Sequence, residues 1–97
     1  MENEIINSFL TYMRQQGGLW RDWYVGIAED VEVRLFNSHS VLKDGVWVYQ
    51  DGGTASIARA VEQHLLIQGC DGGSGGGSTL SRFVYAYKKT PYTNENA

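Results

Sequence analysis

Cysteine, proline, long apolar runs and positive charge are all scarce in this chain, and each scarcity excludes something. The one cysteine, Cys70, cannot form an intramolecular disulfide, so a reducing, cytoplasmic setting is expected and the fold must rest on its core. One proline among 97 residues belongs to an ordinary globular composition, not to a low-complexity chain. No run approaches the ~20 apolar residues of a membrane span, so no membrane partner is expected. The start, Met-Glu-Asn-Glu, lacks the basic opening of a secretory leader. Eight basic residues stand against eleven acidic ones, a net charge of -3. Phosphate contacts come from Lys and Arg, so this balance argues against passive coating of a nucleic acid by bulk charge. It leaves room for an enzyme whose cations need only line one groove.

What is present is enough for one domain with one core, and no internal repeat is visible. Three Trp, six Tyr and three Phe will supply much of the buried area. Residues 2–16 read as an amphipathic helix, with Ile5, Ile6, Phe9, Leu10 and Met13 on one stripe and Gly17-Gly18 as its stop. Residues 22–28 read as a strand, with Trp23, Val25 and Ile27 on one face and Tyr24 and Gly26 on the other. A helix over about 30–39 follows, with Asp30 at its positive end, Val31 and Leu35 inward and Arg34 on the flank. A second strand spans 46–50. Thr54 is the predicted N-cap of a third helix reaching about residue 68, with Ile57, Val61 and Leu65 as its buried stripe, Ala58 a candidate fourth member and Glu62 beside them. The glycine-rich segment 69–78 reads as irregular. Residues 82–88 form a last strand, and the polar tail from Pro91 is expected to fray. The expected fold is α+β, a small three-stranded sheet flanked by three helices, the first of them an addition to the core.

Several residues carry chemistry, and each also has a plainer reading. Arg34 offers a permanently charged fork that matches phosphate geometry, or else a surface pair with Glu29 or Asp30. Glu62 offers a carboxylate for one Mg²⁺ or Mn²⁺, or else an exposed helix position. Tyr24 and His39 are candidate proton-transfer groups; the plain alternatives are sheet packing and a helix-end His favoured by the dipole. Tyr85 and Tyr87 lie two apart and share a strand face, where either adds a phenol to a site or packs the sheet. Tyr49 points at the site or at solvent. His64 faces away from Glu62 and reads as surface. The segment 72–78 lacks the Gly-Lys-Ser/Thr ending of a phosphate loop. Cys70 reads as a small buried residue.

Tyr24-Val-Gly26-Ile, Arg34 ten residues on, and Glu62 on a later helix together resemble the GIY-YIG nuclease domain over roughly residues 22–68. That family carries a Tyr-Ile-Gly strand, a helix of the form Asp-Leu-x-x-Arg-Leu-x-x-His and a later helix with a metal-binding Glu in an Ala-x-x-x-Glu-like pattern. Here Asp30-Val-Glu-Val-Arg34-Leu-Phe-Asn-Ser-His39 matches the first helix, with the His one residue late, and Ala58-Arg-Ala-Val-Glu62 matches the second. The resemblance implies a metal-dependent endonuclease that hydrolyses DNA phosphodiester bonds. Tyr24, Arg34, His39, Glu62 and Tyr85 would then be catalytic, with one Mg²⁺ or Mn²⁺ on Glu62. Gly26, leaving room for the substrate backbone, would line the substrate path with Tyr49, Tyr87 and Lys88. The family's first motif, a Gly-Ile-Tyr strand, is absent, and residues 15–22 stand in its place. If strand 83–88 pairs with strand 22–27, it fills the vacant position in a circularly permuted arrangement. The Asn that often follows the Glu-bearing helix is also absent; Cys70-Asp71 stands there. With no targeting module in the core, specificity would come from the core itself or from a targeting partner protein. The alternative, favoured by the acidic charge and the missing motif, is a non-catalytic interaction module (an inhibitor or accessory subunit) on the same scaffold.

Overall fold

The apolar stripe of residues 2–16 forms helix α1 (Glu2–Gln16), which buries Ile5, Ile6, Phe9, Leu10 and Met13. Gly17, at φ 83°, ends it with its N–H bonded to the Met13 carbonyl, a conformation that glycine adopts without steric cost. The computed structural model describes residues 1–73 and 78–97. After a 3₁₀ turn at Trp20–Asp22 come strand β1 (Trp23–Ala28), a π-helix (Val33–Ser38), β2 (Trp47–Asp51), helix α2 (Ala55–Gln68), β3 (Asp71–Gly72) and β4 (Phe83–Lys88). Thr54 caps α2 as predicted, its hydroxyl accepting from the Ile57 N–H at 3.1 Å.

The sheet is mixed and has four strands, in the order β2-β4-β1-β3. The expectation was three. The fourth is the two-residue β3, which lies parallel to β1 with Tyr24 opposite Asp71 and Val25 opposite Gly72. Its residues fall in the segment read as irregular, where neither alternation nor β-branched residues signal a strand. Residues 74–77 of that segment lie outside the described residues. β4 sits in the middle, antiparallel to both β1 and β2. The pairing of the last strand with the Tyr24 strand is therefore present, with Tyr24 opposite Tyr87 and Gly26 opposite Tyr85.

Both faces of this sheet are covered. All six residues of β1 are buried, so alternation along it separates chemistry, not exposure. One face, with Trp23, Val25, Ile27, Val84 and Ala86, packs under α1 and α2. The other, with Tyr24, Ala28, Tyr85 and Tyr87, packs under Val31, Leu35 and Val41 around the π-helix. A core of aliphatic side chains with Phe9 and Trp23 thus backs a phenolic one across a single sheet. No helix among the described residues is long and apolar enough to cross a membrane.

Candidate active site

Cross-strand pairing assembles the site. Directly opposed residues of an antiparallel pair share a face, so Tyr24, Tyr85 and Tyr87 project together. Gly26 lies opposite Tyr85, and a Cβ built on it would fall 2.5 Å from the Tyr85 hydroxyl oxygen. The space left by this glycine is therefore filled by the Tyr85 phenol. That corrects the expectation that Gly26 makes room for a substrate backbone: the ring across the strand reaches it first.

His39 stands at the centre of these rings and is fully buried. Its ring lies 4.8 Å from that of Tyr24, 5.2 Å from Tyr87 and 5.6 Å from Tyr85, centroid to centroid. Tyr24 and Tyr87 stack at 5.3 Å. Nδ1 of His39 lies 2.7 Å from the carbonyl oxygen of Asn94. A carbonyl only accepts, so Nδ1 carries the proton and donates it there. In the neutral ring Nε2 is then an acceptor, and at 2.8 Å it receives the Tyr85 hydroxyl. The tautomer follows from these partners.

The π-helix explains how His39 reaches this place. Its wide turn brings the His39 N–H onto the Arg34 carbonyl at 2.9 Å, five residues back instead of four. The helix expected over 30–39 is thus present but has a different pitch. Leu35 and Val31 anchor it in the phenolic core, while Arg34 is half-buried on its flank with its charge directed at the phenols. Arg34 Nη2 donates to the main-chain oxygen of Ala97 at 3.2 Å. A cleft of about 450 Å³ opens beside it, lined in part by Ala28, Glu29, Asp30, Val33 and Ser81.

Glu62 approaches from α2 and is 6% exposed, not the exposed helix residue of the plain reading. Among the described residues its carboxylate makes no hydrogen bond or ion pair. Burial raises its pKa, with Arg59 offsetting part of the rise. Its charge reaches both Tyr24 and Tyr85 and raises both phenols. Burial is the main cause at each phenol. It pushes Tyr85 up to about 12 against the opposing pull of Arg34, and it raises Tyr24 against the Gly73 backbone and Arg34. Tyr87 is raised by burial and by its bond to Glu95. His39 is lowered from 6.5 by burial, with the Asn94 bond working the other way.

Tyr24, Arg34, His39, Tyr85 and Tyr87 therefore converge, and Glu62 acts on the same phenols. Tyr49 and Lys88 do not join them. Tyr49 shares the face of Tyr85 but is 45% exposed and stacks on Trp47 at the sheet's open end. Lys88 pairs with Trp23; the twofold period of a strand turns both to the face opposite Tyr87, and the Lys88 side chain lies by Gly18. His64 is exposed, as expected. Asp71 is held by Lys89 at 3.2 Å.

The tail after Pro91, expected to fray, lies against the site. The Asn94 N–H donates to the His39 carbonyl at 2.8 Å, and the Tyr87 hydroxyl donates to Glu95 at 2.8 Å. A polar segment without periodicity gives no sign of a contact made 55 positions away. No family model, no curated protein and no solved structure matches this chain.

Proposed function

We propose that this chain is a divalent-metal-dependent endonuclease that hydrolyses DNA phosphodiester bonds, on a GIY-YIG-like scaffold whose first strand is relocated to β4. The observation that carries the reading is the Tyr85–His39 hydrogen bond, set beside the Arg34 guanidinium and within the field of Glu62. The π-turn adds support. In the family-like pattern the His follows the Arg by four residues; here it follows by five, and a turn closed five residues back absorbs the extra residue.

A phenol pushed up to about 12 stays protonated at neutral pH, so Tyr85 is no base by itself. It acts as a relay. As the attacking water forms its bond to phosphorus, its proton passes to the Tyr85 oxygen and the Tyr85 proton passes to Nε2 of His39. The resulting imidazolium keeps its Nδ1 proton throughout. The bond from phosphorus to the leaving oxygen breaks, and that alkoxide takes a proton from solvent. Arg34 binds the non-bridging oxygens, where negative charge grows. Tyr24 packs on His39 and holds its ring plane.

Glu62 fits one hard cation. It is a nearly buried carboxylate without a partner among the described residues, and no group of three metal-ligating side chains occurs among those residues. Mg²⁺ is commonly held by one or two carboxylates with waters and substrate phosphates completing its shell. When bound, the ion supplies charge neutralisation at the phosphate. The cytoplasm is the setting we assign, since a free thiol such as Cys70 persists there.

The second reading, an interaction module that binds another protein, is favoured by one observation: Arg34 is already engaged by Ala97. Incubation with supercoiled plasmid and Mg²⁺ or Mn²⁺ separates the two. Nicking that Glu62→Ala and Arg34→Ala each reduce by at least ~100-fold supports the enzyme. Absence of cleavage on duplex, branched and single-stranded DNA by folded protein, and by its folded Glu95→Ala variant, favours the interaction module.

A further inference from the structure

We infer that residues 94–97 are a strap that holds the site closed, and that anionic substrate reaches Arg34 only when the strap leaves. The inference rests on the nuclease reading of the same residues. The strap makes four contacts with the site. The Asn94 N–H and carbonyl clip both ends of His39, the backbone carbonyl at 2.8 Å and ring Nδ1 at 2.7 Å. Glu95 takes the Tyr87 hydroxyl at 2.8 Å, and the Ala97 main-chain oxygen takes Arg34 Nη2 at 3.2 Å.

Two features make this a closure and not a fixed part of the core. The first is what it occupies. The Ala97 oxygen accepts from the guanidinium that a phosphate oxygen would use, and Glu95 brings a carboxylate to the same side of the cluster. A polyanion and this segment compete for one cation and repel each other. The second is how weakly it is held. The strap buries no apolar side chain, Tyr92 before it is 81% exposed, Asn94, Asn96 and Ala97 are exposed, and Glu95 is half-buried. Segments held by a few hydrogen bonds and little apolar burial open locally at low cost. Release frees Arg34 and one side of His39 while the core under α1 and α2 is untouched.

The experiment uses the full chain and a 20-base-pair duplex, first without metal. Amide hydrogen exchange at Asn94 reads the strap directly. The free protein should protect this N–H, and saturating duplex should cut its protection by about tenfold or more, as expected for a closed state that binding depletes. Duplex that binds while Asn94 stays protected overturns the inference. With Mg²⁺ or Mn²⁺ added, Glu95→Ala should raise the nicking rate by about tenfold, whereas Glu2→Ala, which removes the same charge from an exposed position on α1, should leave it within about twofold. Equal rates for the two variants sink the strap and leave the nuclease reading intact. Inorganic phosphate separates the remaining case. If Glu95→Ala exposes the Asn94 N–H and gains phosphate binding that Arg34→Ala removes, yet cleaves no DNA, the strap stands and the nuclease reading fails. If that variant gains no phosphate binding either, the strap is contradicted.

Discussion

At the scale of single residues, the site depends on a glycine and a tyrosine facing each other across two strands. A side chain at position 26 would meet the Tyr85 phenol at 2.5 Å, and that ring is 1% exposed and hydrogen-bonded to His39, so it has nowhere to go. Gly26→Ala should therefore destabilise the fold by about 1–3 kcal/mol, the usual cost of overpacking, as measured by urea unfolding. His39 makes the pH dependence of stability specific. Its folded pKa lies below the unfolded value of 6.5, so the unfolded chain binds more protons as pH falls through 6.5. Its contribution is present above that value and is lost as pH drops through the folded pKa. Glu62 acts in the opposite sense: its raised pKa gives stability below 4.5 that disappears as pH rises through its folded value. The difference between wild type and His39→Gln across pH 4–8 isolates the histidine. A difference that does not shrink toward acid pH would contradict its buried, neutral state.

At the scale of elements, the π-helix sets where His39 lies relative to Arg34. Removing one exposed residue from it, Asn37, would restore an ordinary four-residue turn and swing His39 out of the phenolic cluster. The deletion should cost at least ~100-fold in nicking rate while the protein still unfolds cooperatively, because the core under α1 and α2 does not include this helix. Most elements were legible in the sequence. The stripe of Ile5, Phe9 and Met13, the Gly17-Gly18 stop and the Thr54 cap each rest on local rules of period and capping, and all three are present. The pairing of β4 with β1 was also expected. The helical pitch was not legible, since Val31, Leu35 and Arg34 have the same spacing in either kind of helix. β3 was not legible because two residues carry no period. The strap escaped notice for a different reason: its partners are His39, Tyr87 and Arg34, and nothing local in Thr-Asn-Glu-Asn-Ala encodes them.

At the scale of the whole molecule, one sheet separates the core under α1 and α2, from which Glu62 approaches, from a phenolic half that gathers Tyr24, Tyr85 and Tyr87 of the candidate site. The arrangement suits an acidic protein. Arg34 is the cation whose charge acts on the phenols, and its cleft is bordered by Glu29 and Asp30, so binding to duplex should draw little on bulk charge. Each phosphate neutralised contributes about -0.9 to the slope of log affinity against log salt. A slope of about -1 to -2 is therefore expected from fluorescence anisotropy; one as steep as about -6 would mean a basic surface outside this site.

In the proposed mechanism Tyr85 passes a proton to Nε2 of His39, whereas the Tyr87 hydroxyl, 3.3 Å from Nδ1 on the other side of that ring, donates to Glu95 of the strap. Initial nicking rates for Tyr85→Phe and Tyr87→Phe, with Mg²⁺ or Mn²⁺ and matched folding, test this most directly. Tyr85→Phe should lose at least ~100-fold, the scale of a missing proton-transfer group, while Tyr87→Phe, freed of its bond to Glu95, should cleave at least as fast as the wild type. Equal losses in both variants, or full activity in Tyr85→Phe, would contradict the relay.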